Sequence, residues 1–245
     1  MAAKTKALAI IAGVGSGTGA SVARKFAQAY SVALLARNPA NHAPVVEEIV
    51  RNGGHAVGFS ADVTDPASVK DAFDQIARTF PDTNVAAAVY NASSGFVRKP
   101  FLELTLDEFA AGYKGSAQGA FLFSQAVIPL LLKSVHLDHP PTLIFTGATA
   151  SIKGSAQLAA FATGKFALRA LSQSLAREFG PQGVHVSHVI VDGIIDIERT
   201  KAWKFDAPDA KLSPDAIADT YWHLHTQPRT SFTYEIDLRP YVEKW

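Results

Sequence analysis

Short, near-continuous apolar runs alternate with longer amphipathic stretches along this chain, and that alternation limits the folds open to it. Residues 7–12, 32–36, 56–60, 85–90, 143–146 and 184–191 form the apolar runs. A strand that is apolar at successive positions, not at every second one, is covered on both faces. Residues 17–30, 44–52, 66–79, 105–133 and 155–179 read as helices. Asp65 before Pro66 is an N-cap followed by proline at the first helical position. Gly53-Gly54 and Gly180-Pro181 stand where the preceding helices should end. Strands and helices in this order give parallel βαβ units with right-handed crossovers. The expected fold class is α/β, a doubly wound parallel sheet, and the 245 residues suit a single domain spanning 1–245.

Composition narrows the partners. Lys and Arg total 23 against 22 Asp and Glu, a net charge of +1, so no basic footprint for nucleic acid is expected. The chain has no cysteine, which excludes disulfides, thiolate nucleophiles and Cys-ligated metals. Residues 1–8 lack the apolar core of a signal peptide, and no apolar run is read as membrane-spanning. A cytoplasmic protein with no membrane or nucleic-acid partner is expected. The polar stretch 192–214 follows the last long strand, at the edge where open α/β sheets bind ligands. It reads as a substrate-side loop or lid, with Trp203 and Phe205 placed to meet an apolar small molecule.

The first strand runs into Ala12-Gly13-Val14-Gly15-Ser16-Gly17-Thr18-Gly19 and then a helix. Gly13 permits a tight turn, Gly17 a close backbone approach to a pyrophosphate, and Gly19 close packing of helix on sheet. The phosphates then meet free N–H groups at a helix N-terminus. Between a strand and a helix of the first βαβ unit, this is the dinucleotide-binding pattern of a Rossmann fold. After the second strand comes Ala36-Arg37-Asn38, not a carboxylate. An arginine there accommodates a 2′-phosphate, so NADP(H) is the expected cofactor.

Taken together, these motifs resemble the short-chain dehydrogenase/reductase family. Gly13, Gly17, Thr18 and Gly19 match its glycine motif, and Asp62-Val63 its adenine-side Asp–Val pair. Asn91-Ala92-Ser93 looks like its Asn-Ala-Gly motif, and Lys165 like the Lys of Tyr-x-x-x-Lys. The resemblance covers about residues 6–195, and residues 234–245 resemble the tail of an atypical branch. It implies nicotinamide binding and a homodimer or homotetramer packed through the two long helices, 105–133 and 155–179. It also implies a proton machinery of Asn, Ser, Tyr and Lys, in which Lys lowers the Tyr pKa and holds the nicotinamide ribose.

That machinery is altered here. The Tyr position, four before Lys165 on the same helix face, is Phe161. The Ser position falls on Ala148, with Thr149 or Ser151 in the role if the alignment slips. The Asn position falls on Ser116. The Pro-Gly after the last strand becomes Asp192-Gly193, and the downstream Thr becomes Ile197. The candidate catalytic set is therefore Lys165, Ser116 and Phe161, with Gly193 added to the cofactor contacts. A lost general acid removes about 10²–10⁴-fold in rate. Three functions stand open. The first is an NADPH-dependent reductase of a C=N, C=C or C=O bond with non-standard proton delivery; Thr149, Ser151, Gln157 and Asp192 are its polar candidates. The second is a silent NADP-binding scaffold or sensor. The third is a non-redox cyclase or isomerase using Asp192 or Asp196. The eight histidines show no metal-ligand spacing and read as surface or core residues. No metal is expected.

Overall fold

The computed structural model describes residues 7–93 and 96–243. In chain order they form β1 (Ala7–Ala12), α1 (Thr18–Ala27), β2 (Ser31–Ala36), α2 (Pro39–Arg51), β3 (Ala56–Ser60), α3 (Pro66–Thr79) and β4 (Asn84–Tyr90). There follow α4 (Leu106–Tyr113), α5 (Gly119–Leu132), β5 (Thr142–Thr146), α6 (Ala159–Phe179), β6 (His185–Val191), α7 (Pro214–His225) and β7 (Glu235–Leu238). The seven strands make one sheet in the order β3-β2-β1-β4-β5-β6-β7, and every pairing is parallel. This is the doubly wound Rossmann arrangement expected from the alternation. One apolar cluster, with Phe123, Phe145 and Leu168, fills the face under α3, α5 and α6. The other, with Phe26, Ile217 and Tyr221, fills the face under α1, α2 and α7.

Local chemistry explains where elements depart from expectation. α2 begins at Pro39, not at residue 44, because Asn38 caps it: Ala40 N–H donates to Asn38 Oδ1 at 3.0 Å. Pro44 is carried inside that helix. Gly180 does not end α6 in a left-handed conformation; the chain continues through a 3-10 turn and reverses at Gly183, with φ +91°. α6 starts at Ala159, after Gln157 takes φ +66°.

The expected long helix 105–133 is interrupted by a π-turn at Lys114–Gln118 between α4 and α5. There the Gly115 carbonyl accepts from the Tyr90 hydroxyl at 2.7 Å, so it has a partner outside the helix. The combined stretch Leu106–Leu132 is long and apolar enough by composition to cross a bilayer, contrary to the reading that no run reaches that length. Gly, Ser and Gln punctuate residues 115–132, but no charge does. More than half of its most apolar window is buried, with Phe123, Val127 and Leu131 in the core.

Candidate active site

Strand order reverses between β1 and β4, so a crevice opens at their carboxyl ends. Gly13 has φ +84°, and a Cβ there would lie 2.4 Å from the backbone nitrogen of Ala92, in the loop after β4. Asn91 closes the same seam. Its Nδ2 donates to the Gly13 carbonyl at 3.0 Å and its backbone N–H to Ala12 at 2.9 Å. Asn91 and Ala92 thus brace the glycine loop from below, and Ser93 lies exposed beyond them. A Cβ on Gly19 would meet the Gly13 carbonyl oxygen at 2.6 Å, so α1 starts hard against the loop. Side chains of Asn38, Asp65 and Ser213 cap α2, α3 and α7, but Gly17 gives α1 no side-chain cap. The Thr18 and Gly19 amides of the first turn are therefore left for a ligand, while that of Ala20 donates to the Gly17 carbonyl at 3.0 Å.

Arg37 is exposed just past β2, and Asn38 spends its carbonyl on the α2 cap. Asp62 Oδ1 accepts from Thr64 N–H at 2.9 Å and Thr64 Oγ1 at 2.8 Å. The Thr64 backbone bond chiefly holds the Asp62 carboxyl below its ordinary range; burial opposes this, while the Thr64 hydroxyl and Arg37 charge assist. Arg37 and Asp62 thus face one neighbourhood. Val63 is buried against α5, where a Cβ on Gly119 would come within 3.0 Å of it. These residues fit a nicotinamide dinucleotide: a backbone cradle for the pyrophosphate, with the exposed Arg37 guanidinium at the neighbouring strand end.

At the other end of the crevice, α4 and α6 touch through backbone. A Cβ on Gly112 would meet the Ala160 carbonyl oxygen at 2.3 Å, and one on Gly164 would meet the Gly112 carbonyl oxygen at 2.3 Å and Ser116 Cβ at 3.2 Å. Ser116 is thus packed against Gly164, the residue before Lys165. Lys165 is buried, and its Nζ donates to the Thr146 carbonyl at 2.8 Å. Burial pushes its pKa down to about 8. Nζ lies 6.0 Å from the centroid of the Phe161 ring, which meets Phe96 edge-on at 5.3 Å.

The remaining candidates separate clearly. Ser151 is buried, and its Oγ accepts from Ala148 N–H at 3.1 Å, so it is committed to its own turn. Thr149 is half-buried and donates to Asp192 Oδ1. Gln157 is exposed, and its carbonyl accepts from Lys99 N–H at 2.9 Å. Asp196 pairs with Lys211 at 3.3 Å, within a loop after β6 that an Ile195–Leu212 bridge ties together. Trp203 and Phe205 line a hollow of about 360 Å³ on that loop. Ile197 reaches the glycine loop: a Cβ on Gly17 would lie 2.7 Å from its Cγ2. Gly193, at φ +147°, packs on Pro240, 2.7 Å from where its Cβ would be. Among the described residues, no three His, Asp or Glu side chains group as a metal site.

Sequence reasoning missed β7 and the charges it delivers. Glu235 accepts from Arg169 Nε and Nη2, each at 2.7 Å, and sits 2.9 Å from His188 Nδ1. Arg239 pairs with Asp192 at 3.0 Å and with Asp237 at 2.6 Å. The only signal was a cluster of charges near the C-terminus.

Residues 7–206 match the family model described as short chain dehydrogenase. The chain belongs to this family. It is 31% identical over 233 residues to a short chain dehydrogenase of Monascus purpureus, covering 91% of this chain and 76% of the relative. A short-chain dehydrogenase structure from Rhodopseudomonas palustris is 32% identical, with a TM-score of 0.78, and covers 96% of this chain and 99% of that one. An alcohol dehydrogenase of Thermococcus sibiricus, complexed with 5-hydroxy-NADP, shares the fold at a TM-score of 0.84 and 23% identity, covering 98% of each chain. In this short-chain dehydrogenase a phenyl ring, that of Phe161, stands four residues before Lys165.

Proposed function

We propose that this chain is an NADP(H)-dependent oxidoreductase that reduces a C=O, C=N or C=C bond of a small organic substrate without a proton from residue 161. The observation that carries this is the uncapped start of α1, facing the Gly13–Ala92 seam with Arg37 at the neighbouring strand end. Such a site holds a pyrophosphate on backbone amides and a 2′-phosphate on the guanidinium. When bound, the nicotinamide supplies hydride. In this reading Lys165 holds the ribose, and Ser116 packs against Gly164, the residue before it. Solved proteins of the same fold carry NADP or its 5-hydroxy derivative, which supports the coenzyme choice. Phe121 and Phe166 are exposed on α5 and α6, at 46% and 43%, which supports a homodimer or homotetramer packed through those helices.

Phe161 favours one competing reading, a nucleotide-binding protein without turnover, because a phenyl ring has no proton to give. Stopped-flow oxidation of NADPH against ketones, imines and activated alkenes separates the two. Oxidation with at least one acceptor class supports the reductase. NADPH binding with no oxidation by any class supports the silent binder.

A further inference from the structure

The hollow on the loop between β6 and α7, at about 360 Å³, lies within the range of small-molecule sites. Trp203 and Phe205 form its apolar walls, and they are 52% and 46% exposed. Rings this open on a loop contribute little to the core, so their faces are available to a ligand. The hollow adjoins the glycine cradle. Asp196 lines it, and the next residue, Ile197, is the one whose Cγ2 lies 2.7 Å from where a Gly17 Cβ would be.

The charges around the hollow do not cancel. Lys201, Lys204 and Lys211 line it against Asp196 and Asp209. Lys211 is spent: its Nζ pairs with Asp196 at 3.3 Å and donates to the Thr200 carbonyl at 2.8 Å. That pair neutralises Asp196. Lys201 reaches Glu198 at 3.5 Å with both side chains at least three-quarters exposed, a contact worth little in water. Lys204 has no ion pair among the described residues. Two ammonium groups, Lys201 and Lys204, are thus set against the single carboxylate of Asp209, a surplus of positive charge. Ring faces beside an unpaired ammonium suit a flat apolar body that carries a carboxylate. An amine of the same shape would meet like charge.

We propose that this hollow binds aryl carboxylates, that Lys204 is its specificity-determining residue, and that the substrate is an aryl acid bearing the reducible bond. Trp203 and Phe205 take the ring and Lys204 the carboxylate, and the reducible bond extends past Ile197 toward the cradle. This inference rests on the oxidoreductase reading above and narrows its substrate class.

The test titrates benzoate, benzamide and benzylamine against wild type, Lys204→Ala, Lys204→Arg and Trp203→Phe. Calorimetry and tryptophan fluorescence follow binding, with NADP⁺ present to fill the cradle. The ligands share a ring and differ in charge. Benzoate should bind wild type about tenfold more tightly than benzamide, and benzylamine most weakly. Lys204→Ala should remove that preference, Lys204→Arg should restore it, and added salt should erode it. Benzoate should quench fluorescence in wild type and not in Trp203→Phe. Both positions are exposed, so the variants should keep the wild-type Tm. Aryl acids bearing a ketone, imine or activated alkene should oxidise NADPH at a lower KM than the matching neutral compounds. Equal binding of benzoate and benzamide, a preference unchanged in Lys204→Ala, or quenching that persists in Trp203→Phe overturns the inference. The oxidoreductase reading then stands on NADPH oxidation by neutral acceptors. Benzoate binding in the hollow with no NADPH oxidation by any acceptor, charged or neutral, overturns that reading and with it the aryl acid as substrate.

Discussion

Replacing Gly13 with alanine tests the seam on which the whole site is built. Gly13 sits at φ +84°, where an L-residue costs roughly 1–2 kcal/mol. Its new methyl would also lie 2.4 Å from Ala92 N and 2.6 Å from both Ala92 Cα and the Asn91 carbonyl carbon. These are backbone atoms, so relief needs the two loops to part, an overpacking cost of about 1–3 kcal/mol. The sum, about 2–5 kcal/mol, corresponds to a fall in Tm of roughly 4–20 °C for a domain of this size. Parting the loops also stretches the 3.0 Å bond from Asn91 Nδ2 to Gly13 and spreads the amides that would hold the pyrophosphate. Thermal unfolding and NADPH fluorescence titration measure both effects. Gly15→Ala is the control, because a Cβ there meets nothing within 4 Å, and it should change Tm by less than about 2 °C. A Gly13→Ala protein with wild-type Tm and NADPH affinity would refute the reasoning.

Three further outcomes follow from other parts of the molecule. Ala36→Asp with Arg37→Leu should weaken NADPH binding by about 10- to 100-fold in a titration, the worth of a charge-assisted hydrogen bond, and strengthen NADH binding. Phe161→Tyr should change ketone reduction by less than about tenfold, because the proposed reaction takes no proton from residue 161; a gain near 10²-fold would show that residue 161 is the missing acid. His225 is buried between Tyr30, at 2.7 Å, and Thr142, at 3.0 Å, and burial chiefly lowers its pKa to about 3, with the charges of His139 and His185 adding to the effect. The unfolded chain takes up that proton near pH 6.5 and the folded one does not, so its contribution is full above pH 6.5 and falls toward pH 3. About 2 kcal/mol should be lost between pH 6.5 and 5, and His225→Gln should flatten that slope in urea unfolding.

The sequence reveals what is local and hides what is assembled. Six strands were legible because their residues are apolar on both faces, and the glycine loop because strand, glycines and helix are contiguous. β7 was not, since Glu235-Ile236-Asp237-Leu238 is four residues long and alternates charge with apolar side chains. The start of α2 was misplaced because Pro44 looks like a first-turn proline while the cap, Asn38-Pro39, lies further upstream. Phe161 could be read from its spacing to Lys165. The contact of Thr149 with Asp192, 43 positions away, and the Arg239 guanidinium on the other side of Asp192 could not, because they join strand ends far apart in the chain.

Equilibrium titration of the folded protein with NADPH and NADH probes the central claim most directly. Saturable binding of both, tighter for NADPH, is the predicted result. Retention of the fold with no uptake of either coenzyme would contradict the account.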